Sequence, residues 1–367
     1  MPPLVIGGGP AGSAAAIMLA RGGTGATVLE RTREPGDALC GGFLSWRTLE
    51  TLARLGIDAD ALNPQPVTQL RLFAGDRTVT AALPSPARGV SRRRLDSLML
   101  ARAEAEGARI ECGIAVRALE GGVARLADSS EVASDHILLA TGKHDLRGAA
   151  RPANARGADP SLGLRIRLGP SPALDRLLAQ TIELHLFDRG YAGLVAQEDG
   201  RINLCMAVHR SRLDAAGSAA ALLEQLGAVH PALGERLAYA VEEAAIDAVA
   251  NVPYGWRARA TEPGVYRLGD QAAVIPSLAG EGMGIAVASG IAAASALLRR
   301  EDAERYQRRF ARSVARPMRV AGVVRALAES QHAGAMLLSV ARLAPSLVGA
   351  VAHLTRISTL AVDDDAR

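Results

Sequence analysis

The opening stretch of the chain, residues 4–31, constrains the fold more than any other. A short apolar strand at residues 4–6 leads into the pattern Gly7-x-Gly9-x-x-Gly12, followed by a helix to about residue 21 and a second strand at residues 26–29. Gly7 permits a tight turn between strand and helix, Gly9 lets a pyrophosphate approach the backbone, and Gly12 lets the helix pack closely on the sheet. The stretch therefore predicts a βαβ unit that binds a dinucleotide.

Glu30 completes this unit at the end of the second strand, where its carboxylate can accept hydrogen bonds from both ribose hydroxyls. The first turn of the helix supplies free N–H groups and the positive end of the helix dipole, which hold a diphosphate without any basic side chain. An ordinary strand-to-helix turn is the alternative interpretation, because glycine-rich turns are common.

The composition argues against several other classes of protein. The 367 residues carry a net charge of +4, but the basic residues are spread along the chain and form no nucleic-acid-binding block. Cys40, Cys112 and Cys205 are far apart and odd in number, so neither a disulfide framework nor a metal site is predicted. Because no stretch is long and apolar enough to span a bilayer and no basic secretory start is present, we expect a cytoplasmic protein.

The order of strands and helices predicts an α/β protein with two intergrown units. The nucleotide-binding domain is discontinuous and takes residues 1–66, 88–150 and 256–300. A mainly antiparallel β domain for the substrate is inserted at residues 67–87 and 151–255, and helices follow at residues 301–367. The last helices are apolar, which favours a packing role, with contact to a membrane surface as the alternative.

Two later segments predict the second half of a flavin site. Asp270 follows a strand and Gly269, so its carboxylate can accept a hydrogen bond from a sugar-alcohol hydroxyl such as those of a ribityl chain. The glycines from Gly280 to Gly284 open a helix whose N-terminus can stabilise the negative charge of a reduced flavin. The turn at residues 140–142 consists of small residues that let the backbone pass close to a cofactor.

Taken together, these motifs resemble the glutathione-reductase-type FAD-binding fold in its single-nucleotide form, and within it the aromatic hydroxylase and geranylgeranyl reductase branches. The resemblance covers most of residues 1–150 and 260–300. It implies a Rossmann-like FAD-binding domain in which Arg31 follows the ribose acid, Arg92 lies near the flavin or pyrophosphate, and Val116 contacts the adenine through its backbone. The cofactor-binding residues that it implies are Gly7, Gly9, Pro10, Ala11, Gly12, Glu30, Arg31, Cys40, Gly41, Arg92, Val116, Thr141, Gly142, Gly269, Asp270, Gly280, Gly282, Met283 and Gly284.

The candidate catalytic residues are Cys40, Tyr191 and Pro276. The resemblance places Cys40 and Pro276 beside the flavin ring and Tyr191 at a signature position of the reductase branch. The run from Cys40 to Gly42 resembles the reductase branch, whereas the segment after Tyr191 lacks the Trp and Pro of that branch's Tyr-x-Trp-x-Phe-Pro signature. Three histidines, at positions 144, 185 and 209, are weaker candidates for acid–base chemistry. Strand alternation predicts that the substrate lies opposite Cys40 and Pro276, over Leu184, Leu186, Tyr191, Gly193 and Leu204.

The resemblance implies an FAD-dependent monooxygenase that acts on an aromatic or polyketide-like small molecule of secondary metabolism, with or without a lipid tail. In such enzymes NAD(P)H reduces FAD, O2 adds at the flavin C4a and the hydroperoxide transfers oxygen. Because no second GxGxxG unit is present, we expect NAD(P)H to bind transiently in the same cleft. A reductase of isoprenoid double bonds is the alternative enzyme, and a flavin-binding scaffold is the alternative that is not an enzyme.

Overall fold

A computed structural model of the protein describes residues 1–241 and 246–357. In chain order the strands are β1 (Leu4–Ile6), β2 (Thr27–Glu30), β3 (Phe43–Leu44), β4 (Pro66–Ala74), β5 (Arg77–Gly89), β6 (Arg109–Cys112), β7 (Val116–Glu120), β8 (Val123–Leu126), β9 (Glu131–Ala133), β10 (Ile137–Leu139), β11 (Ser161–Leu168), β12 (Thr181–Phe187), β13 (Gly190–Ala196), β14 (Ile202–His209), β15 (Asp247–Val252) and β16 (Val265–Arg267). The helices are α1 (Pro10–Arg21), α2 (Trp46–Arg54), α3 (Ala59–Leu62), α4 (Arg92–Ala105), α5 (Pro172–Leu177), α6 (Arg210–Ala216), α7 (Ala219–Val229), α8 (Pro231–Leu237), α9 (Gly282–Leu298), α10 (Ala303–Ser313), α11 (Ala315–Ala328), α12 (Gln331–Leu343) and α13 (Pro345–Leu354).

A five-stranded parallel sheet, in the order β16-β10-β1-β2-β6, forms the centre of the nucleotide-binding region. Its strands β1 and β10 are short apolar runs buried on both faces, as parallel strands usually are. One face packs on helices α1, α4 and α9, and the other on a three-stranded sheet of β7, β8 and β9. The α/β fold class is therefore confirmed.

An eight-stranded mixed sheet, in the order β15-β11-β14-β13-β12-β4-β5-β3, forms the second layer system. Only the β12–β4 pair is parallel among its described strands, since the others are joined antiparallel. One face of β11, β13 and β14 is covered by helices α7 and α8 around a core that includes Leu204, Met206 and Leu226. On the opposite face, Leu186, Tyr191 and Ala207 pack with residues of helix α12. The division of the chain into the predicted domains remains a prediction.

The C-terminal helices complete the structure on two sides. Helix α10 buries Tyr306 and Phe310 against the parallel-sheet core. Helix α12 packs its inner face on the eight-stranded sheet, and α13 begins at Pro345. Within the described residues no single helix could cross a membrane, although the bent pair of residues 331–343 and 346–354 has the length and apolar composition to do so. Residues 358–367 of the predicted helical unit lie outside the described part of the chain.

Candidate cofactor and substrate site

The loop between β1 and α1 has room for glycine only. Gly7 has φ +108°, and a Cβ at this position would lie 2.5 Å from the carbonyl oxygen of Ala140. A Cβ at Gly12 would lie 1.9 Å from the carbonyl oxygen of Gly7. Since these contacts join the ends of two neighbouring parallel strands to the first turn of α1, the glycines set how closely the helix approaches the sheet.

The N-terminus of α1 presents free backbone donors. Gly9 is the N-cap residue, Pro10 takes the first helical position, and no side chain caps the first turn, which also contains no acidic residue. Ala11 is buried against α9 and continues the turn. Such an uncapped N-terminus binds anions through its N–H groups and the helix dipole. This is the place where a pyrophosphate would lie.

Glu30 stands beside this loop at the carboxyl end of β2. Its Oε2 accepts a hydrogen bond from the backbone N–H of Gly8 at 2.8 Å, and its Oε1 accepts from the N–H and the hydroxyl of Thr32 at 3.0 and 2.8 Å. These bonds fix the carboxylate, and each of its oxygens retains a further lone pair for a ribose hydroxyl.

Arg31 and Val116 flank Glu30 on opposite sides. Arg31 is exposed. The pKa of His144, in the turn that follows β10, is lowered first by the burial of that imidazole and then by the charge of Arg31. On the other side, the N–H of Ile114 donates to the carbonyl of Glu30 at 2.9 Å, which brings the start of β7 with Val116 next to the end of β2. The predicted adenosine residues therefore lie around one edge of the sheet.

Arg92 lies across the mouth of the glycine loop. Its nearer Nη atom would be 3.2 Å from a Cβ at Gly9, and its guanidinium makes two hydrogen bonds of 2.9 and 2.8 Å to the Asp96 carboxylate. Burial alone would lower the pKa of Arg92, but Asp96 raises it well above the usual value, with further contributions from Cys40 and Asp270. A permanently charged guanidinium thus faces the space between the loop and Asp270.

The turn after β10 is tied to the segment after β16. The hydroxyl of Thr141 donates to the carbonyl of His144 at 2.7 Å, and the amide of Gln271 donates to the carbonyls of Gly142 and His144, both at 2.9 Å. A Cβ at Gly142 would meet no atom within 4 Å, so open space adjoins this backbone. The turn is therefore held rigidly at the edge of a cleft.

Asp270 offers a carboxylate with little competition for it. The N–H of the preceding Gly269 donates to the Ser289 hydroxyl at 2.8 Å, which fixes the backbone. The carboxylate is 24% exposed, and Lys143 approaches it only to 3.8 Å. Its oxygens can thus accept hydrogen bonds from a ribityl chain, as the sequence predicts.

The N-terminus of α9 forms the second set of free donors. Gly280 has a left-handed backbone that ends a short 3₁₀ turn, and α9 begins with Gly282, Met283 and Gly284. A Cβ at Gly282 would meet no atom within 4 Å, so this end of the helix also faces open space. No side chain caps its first turn.

Glu281, the N-cap residue of α9, makes no capping hydrogen bond to the helix. Its buried carboxylate accepts a hydrogen bond from the Ser45 hydroxyl at 3.0 Å and pairs with Arg356 at 2.9 Å. Burial raises the pKa of Glu281, against the opposing charge of Arg356. The first N–H groups of α9 consequently remain available to a flavin carbonyl.

The loop of Cys40 and Gly41 lies between the two sheets. The Asn203 amide donates to the carbonyls of both residues at 2.9 Å, which anchors the loop to β14. Cys40 is half-buried and packs against the parallel-sheet core. Burial, and then the nearby Cys40, raise the pKa of Cys205 to about 12, so that thiol stays protonated.

Tyr191 and Tyr254 converge on a serine beside Pro276. Both phenol hydroxyls hydrogen bond to the Ser277 hydroxyl, and burial raises the pKa of each phenol well above its usual value. Sequence reasoning identified Tyr191 and Pro276 but missed Tyr254 and Ser277. No motif marks Tyr254, although its place within three residues of a Pro and a Gly, after a strand, indicates a turn.

An apolar cluster surrounds these hydroxyls. It is formed by residues of β12, β13 and β14 together with the loop after Pro276 and helix α12, among them Leu184, Leu186, Ala207, Leu278 and Leu337. The predicted substrate face is wrong in one residue, Leu204, which lies in the core on the opposite side under α7 and α8. Strand pairing puts Cys205, opposite Gly193, on the substrate side instead.

The three histidine candidates have structural partners. His185 is buried, stacks on Phe73 and bonds to Glu183 at 3.2 Å. His209 bonds to Asp159 and Glu329 at the far side of the cluster. Only His144 lies near the predicted cofactor residues, and it contributes its backbone carbonyl there.

The groups assembled here fit FAD. Two uncapped helix N-termini, of α1 and α9, are placed for a pyrophosphate and for the flavin carbonyl edge, and two carboxylates, of Glu30 and Asp270, are placed for the ribose and ribityl hydroxyls. Open space adjoins Gly142, in the turn after β10, and Gly282, at the start of α9.

Comparison with known proteins identifies the same cofactor. Residues 1–143 match the family described as FAD binding domain. The menaquinone reductase of Mycobacterium tuberculosis is 32% identical over 151 residues, which are 38% of this chain and 37% of that protein. The match thus spans little more than a third of the relative's own length.

Solved structures show the likeness of the whole fold. The flavin-dependent brominase Bmp2 superposes with a TM-score of 0.73 at 14% identity, covering 99% of this chain and 94% of the other. A geranylgeranyl bacteriochlorophyll reductase-like protein from Thermoplasma acidophilum gives 0.69 at 19% identity, with the same 99% and 94%. The protein pqsL of Pseudomonas aeruginosa, a probable FAD-dependent monooxygenase, gives 0.68 at 16% identity, covering 92% and 99%.

The family match and the geometry of the site agree on FAD, and the fold of the whole chain is similar to that of these three solved structures. We therefore identify residues 1–143 as part of an FAD-binding domain, as the motifs predict.

Proposed function

We propose that this protein is a monooxygenase that hydroxylates an aromatic ring carrying an apolar tail, with NAD(P)H as the electron donor. The observation that carries the proposal is the apolar cluster of β12, β13 and α12 together with the Ser277 hydroxyl, to which two phenols are bound. A ring hydroxyl can exchange hydrogen bonds with this centre while the tail lies among leucines.

The residues of the site have separate tasks in this proposal. FAD, when bound, supplies the redox and oxygen chemistry, which protein side chains lack. Asp270 and the glycine loop hold the cofactor, and the N-terminus of α9 stabilises negative charge on its ring. Tyr191 and Tyr254, kept neutral by burial, orient the substrate, and the surrounding leucines exclude water.

Reduction of a double bond in an isoprenoid quinone is the second candidate function. The identity to menaquinone reductase favours it, and so does the run of Cys40, Gly41 and Gly42. Against it stands the segment after Tyr191, which lacks the Trp and Pro of the reductase signature. Both candidate functions require an apolar substrate, and in both the substrate would lie on the same face of the eight-stranded sheet.

The test uses the FAD-loaded protein, NADPH or NADH, and two probes, dodecylphenol and menaquinone. With dodecylphenol in ¹⁸O₂ we expect a product that contains one labelled oxygen atom by mass spectrometry. A protein that saturates a side-chain double bond of menaquinone without oxygen, and incorporates no label into any product in air, would be a reductase.

A further inference from the structure

We propose that the outer face of helices α11, α12 and α13 docks on the surface of an anionic lipid bilayer. The proposal extends the function above, because a substrate with an apolar tail partitions into bilayers, but it stands on surface features of its own. We call this face the C-terminal apolar face and define it by residues Val323, Leu327, Met336, Val340, Leu343, Leu347 and Leu354.

Exposed apolar side chains are concentrated on this face. These seven residues account for most of the ten large apolar side chains that are exposed in the described part of the chain. Leu343 is 86% exposed and Met336 is 64% exposed. Single exposed leucines need no explanation, but seven such side chains on three helices that contact one another indicate a surface that is covered in use.

The spacing on α12 shows that this exposure is systematic. Met336, Val340 and Leu343 follow one another at intervals of four and three residues, which places them on one side of the helix. The other side buries Leu338 and Ala341 against the eight-stranded sheet. Helix α12 is therefore apolar on both sides, unlike an ordinary surface helix, whose outer side is polar.

The charges around the face favour an anionic partner. Residues 315–354, which span α11 to α13, contain four arginines and no lysine, against one glutamate, and residues 330–356 contain no acidic residue at all. Arg316 and Arg319 are exposed on α11, two turns and one turn before Val323 respectively, and Arg342 is exposed on α12. The nearby Glu329 is buried in an ion pair with Arg325 and does not offset them.

The same helix connects the outer face to the candidate substrate cluster. Leu337 and Leu338 of α12 pack with Tyr191 and Leu278, which adjoins Ser277. One helix thickness therefore separates the C-terminal apolar face from the apolar interior in which a tailed substrate would lie. An apolar face rimmed by arginine is the arrangement that binds peripherally to anionic membranes, and the short distance to the interior favours a lipid surface as its occupant.

The test measures sedimentation of the full-length, FAD-loaded protein with vesicles of phosphatidylcholine alone and of phosphatidylcholine with phosphatidylglycerol. We expect binding to the anionic vesicles that weakens in high salt, and much weaker binding to the neutral ones. Met336→Ser with Leu343→Ser should reduce the partition coefficient at least about tenfold, because two large exposed side chains no longer enter the interface. Val229→Ser, at a similarly exposed valine on α7, is the matched control and should change nothing.

A second pair of variants tests the charge separately. Arg316→Gln with Arg319→Gln should weaken binding to anionic vesicles about 25-fold, since one arginine near such a surface contributes about fivefold, or about 1 kcal/mol. The control is Arg125→Gln, an exposed arginine of β8. Neither pair of substitutions touches the flavin site, and vesicle binding is measured without any activity assay. A failure of the membrane proposal therefore says nothing about the proposed hydroxylation, which is tested separately.

Three results would overturn the proposal. The first is a protein that fails to sediment with anionic vesicles, and the second is equal binding to neutral and anionic vesicles. The third is light scattering that shows a dimer which dissociates on Met336→Ser with Leu343→Ser, because the face would then bind a second copy of the chain.

Discussion

Replacing Asp270 by alanine should weaken FAD binding without unfolding the protein. The carboxylate adjoins the open cleft and is only loosely paired, at 3.8 Å, with Lys143. Loss of one hydrogen bond to a charged acceptor costs about 1.5–3 kcal/mol, which raises the Kd for FAD about ten- to a hundredfold. The partly exposed pair with Lys143 contributes at most about 1 kcal/mol to stability, so the unfolding of the FAD-free protein should change little.

Fluorescence titration of the FAD-free protein measures the Kd, and thermal unfolding of the same samples measures stability. Asp270→Asn keeps an acceptor oxygen and should lie between wild type and Asp270→Ala. Asp76→Ala, at the exposed tip of the β4–β5 hairpin, is the control and should leave the Kd unchanged. An unaltered Kd in Asp270→Ala, or a fall in stability as large as the loss of affinity, would refute the assignment of Asp270 to the ribityl chain.

Three further predictions concern the loop, the pocket and the pH dependence. Gly12→Ala should abolish FAD binding and destabilise the fold by about 1–3 kcal/mol, measured by thermal unfolding, because its methyl group would collide with the Gly7 carbonyl. Tyr254→Phe should raise the KM for dodecylphenol about two- to tenfold with an unchanged Kd for FAD; an unchanged KM would remove Tyr254 from the pocket. Burial alone would raise the pKa of Glu183, but hydrogen bonds from His185 and Arg236 lower it. The ionised Glu183 therefore stabilises the fold above the usual carboxyl pKa of about 4, and this stabilisation is lost as the pH falls. Below that pH the free energy of unfolding should decline more steeply in wild type than in Glu183→Gln. Parallel curves of unfolding free energy against pH for the two proteins would contradict this.

The cofactor half of the site could be predicted because its requirements are local. A Cβ at Gly12 is excluded by an atom five residues earlier in the same loop, and Asp270 follows directly on its strand. Each such constraint leaves a short pattern in the sequence. These patterns were sufficient to predict the fold class and the FAD cofactor, which the structure and the family match confirm.

The substrate half depends on contacts between distant segments. Ser277 bonds to Tyr191 across 86 positions and to Tyr254 across 23, so no local pattern marks these pairs. The wrong placement of Leu204 had a signal in the sequence, however. In β14 the larger apolar residues alternate with Asn203, Cys205 and Ala207, and the larger set packs under the helices while the smaller set leaves room on the other face.

Electron density for FAD and dodecylphenol bound together would test the central claim most directly. The account predicts a flavin ring between the N-terminus of α9 and the cluster around Tyr191, with the phenol hydroxyl bonded to Ser277 or Tyr254 and its tail along the inner side of α12. A flavin ring outside this space, or a phenol bound away from Ser277 with the ring in place, would contradict it.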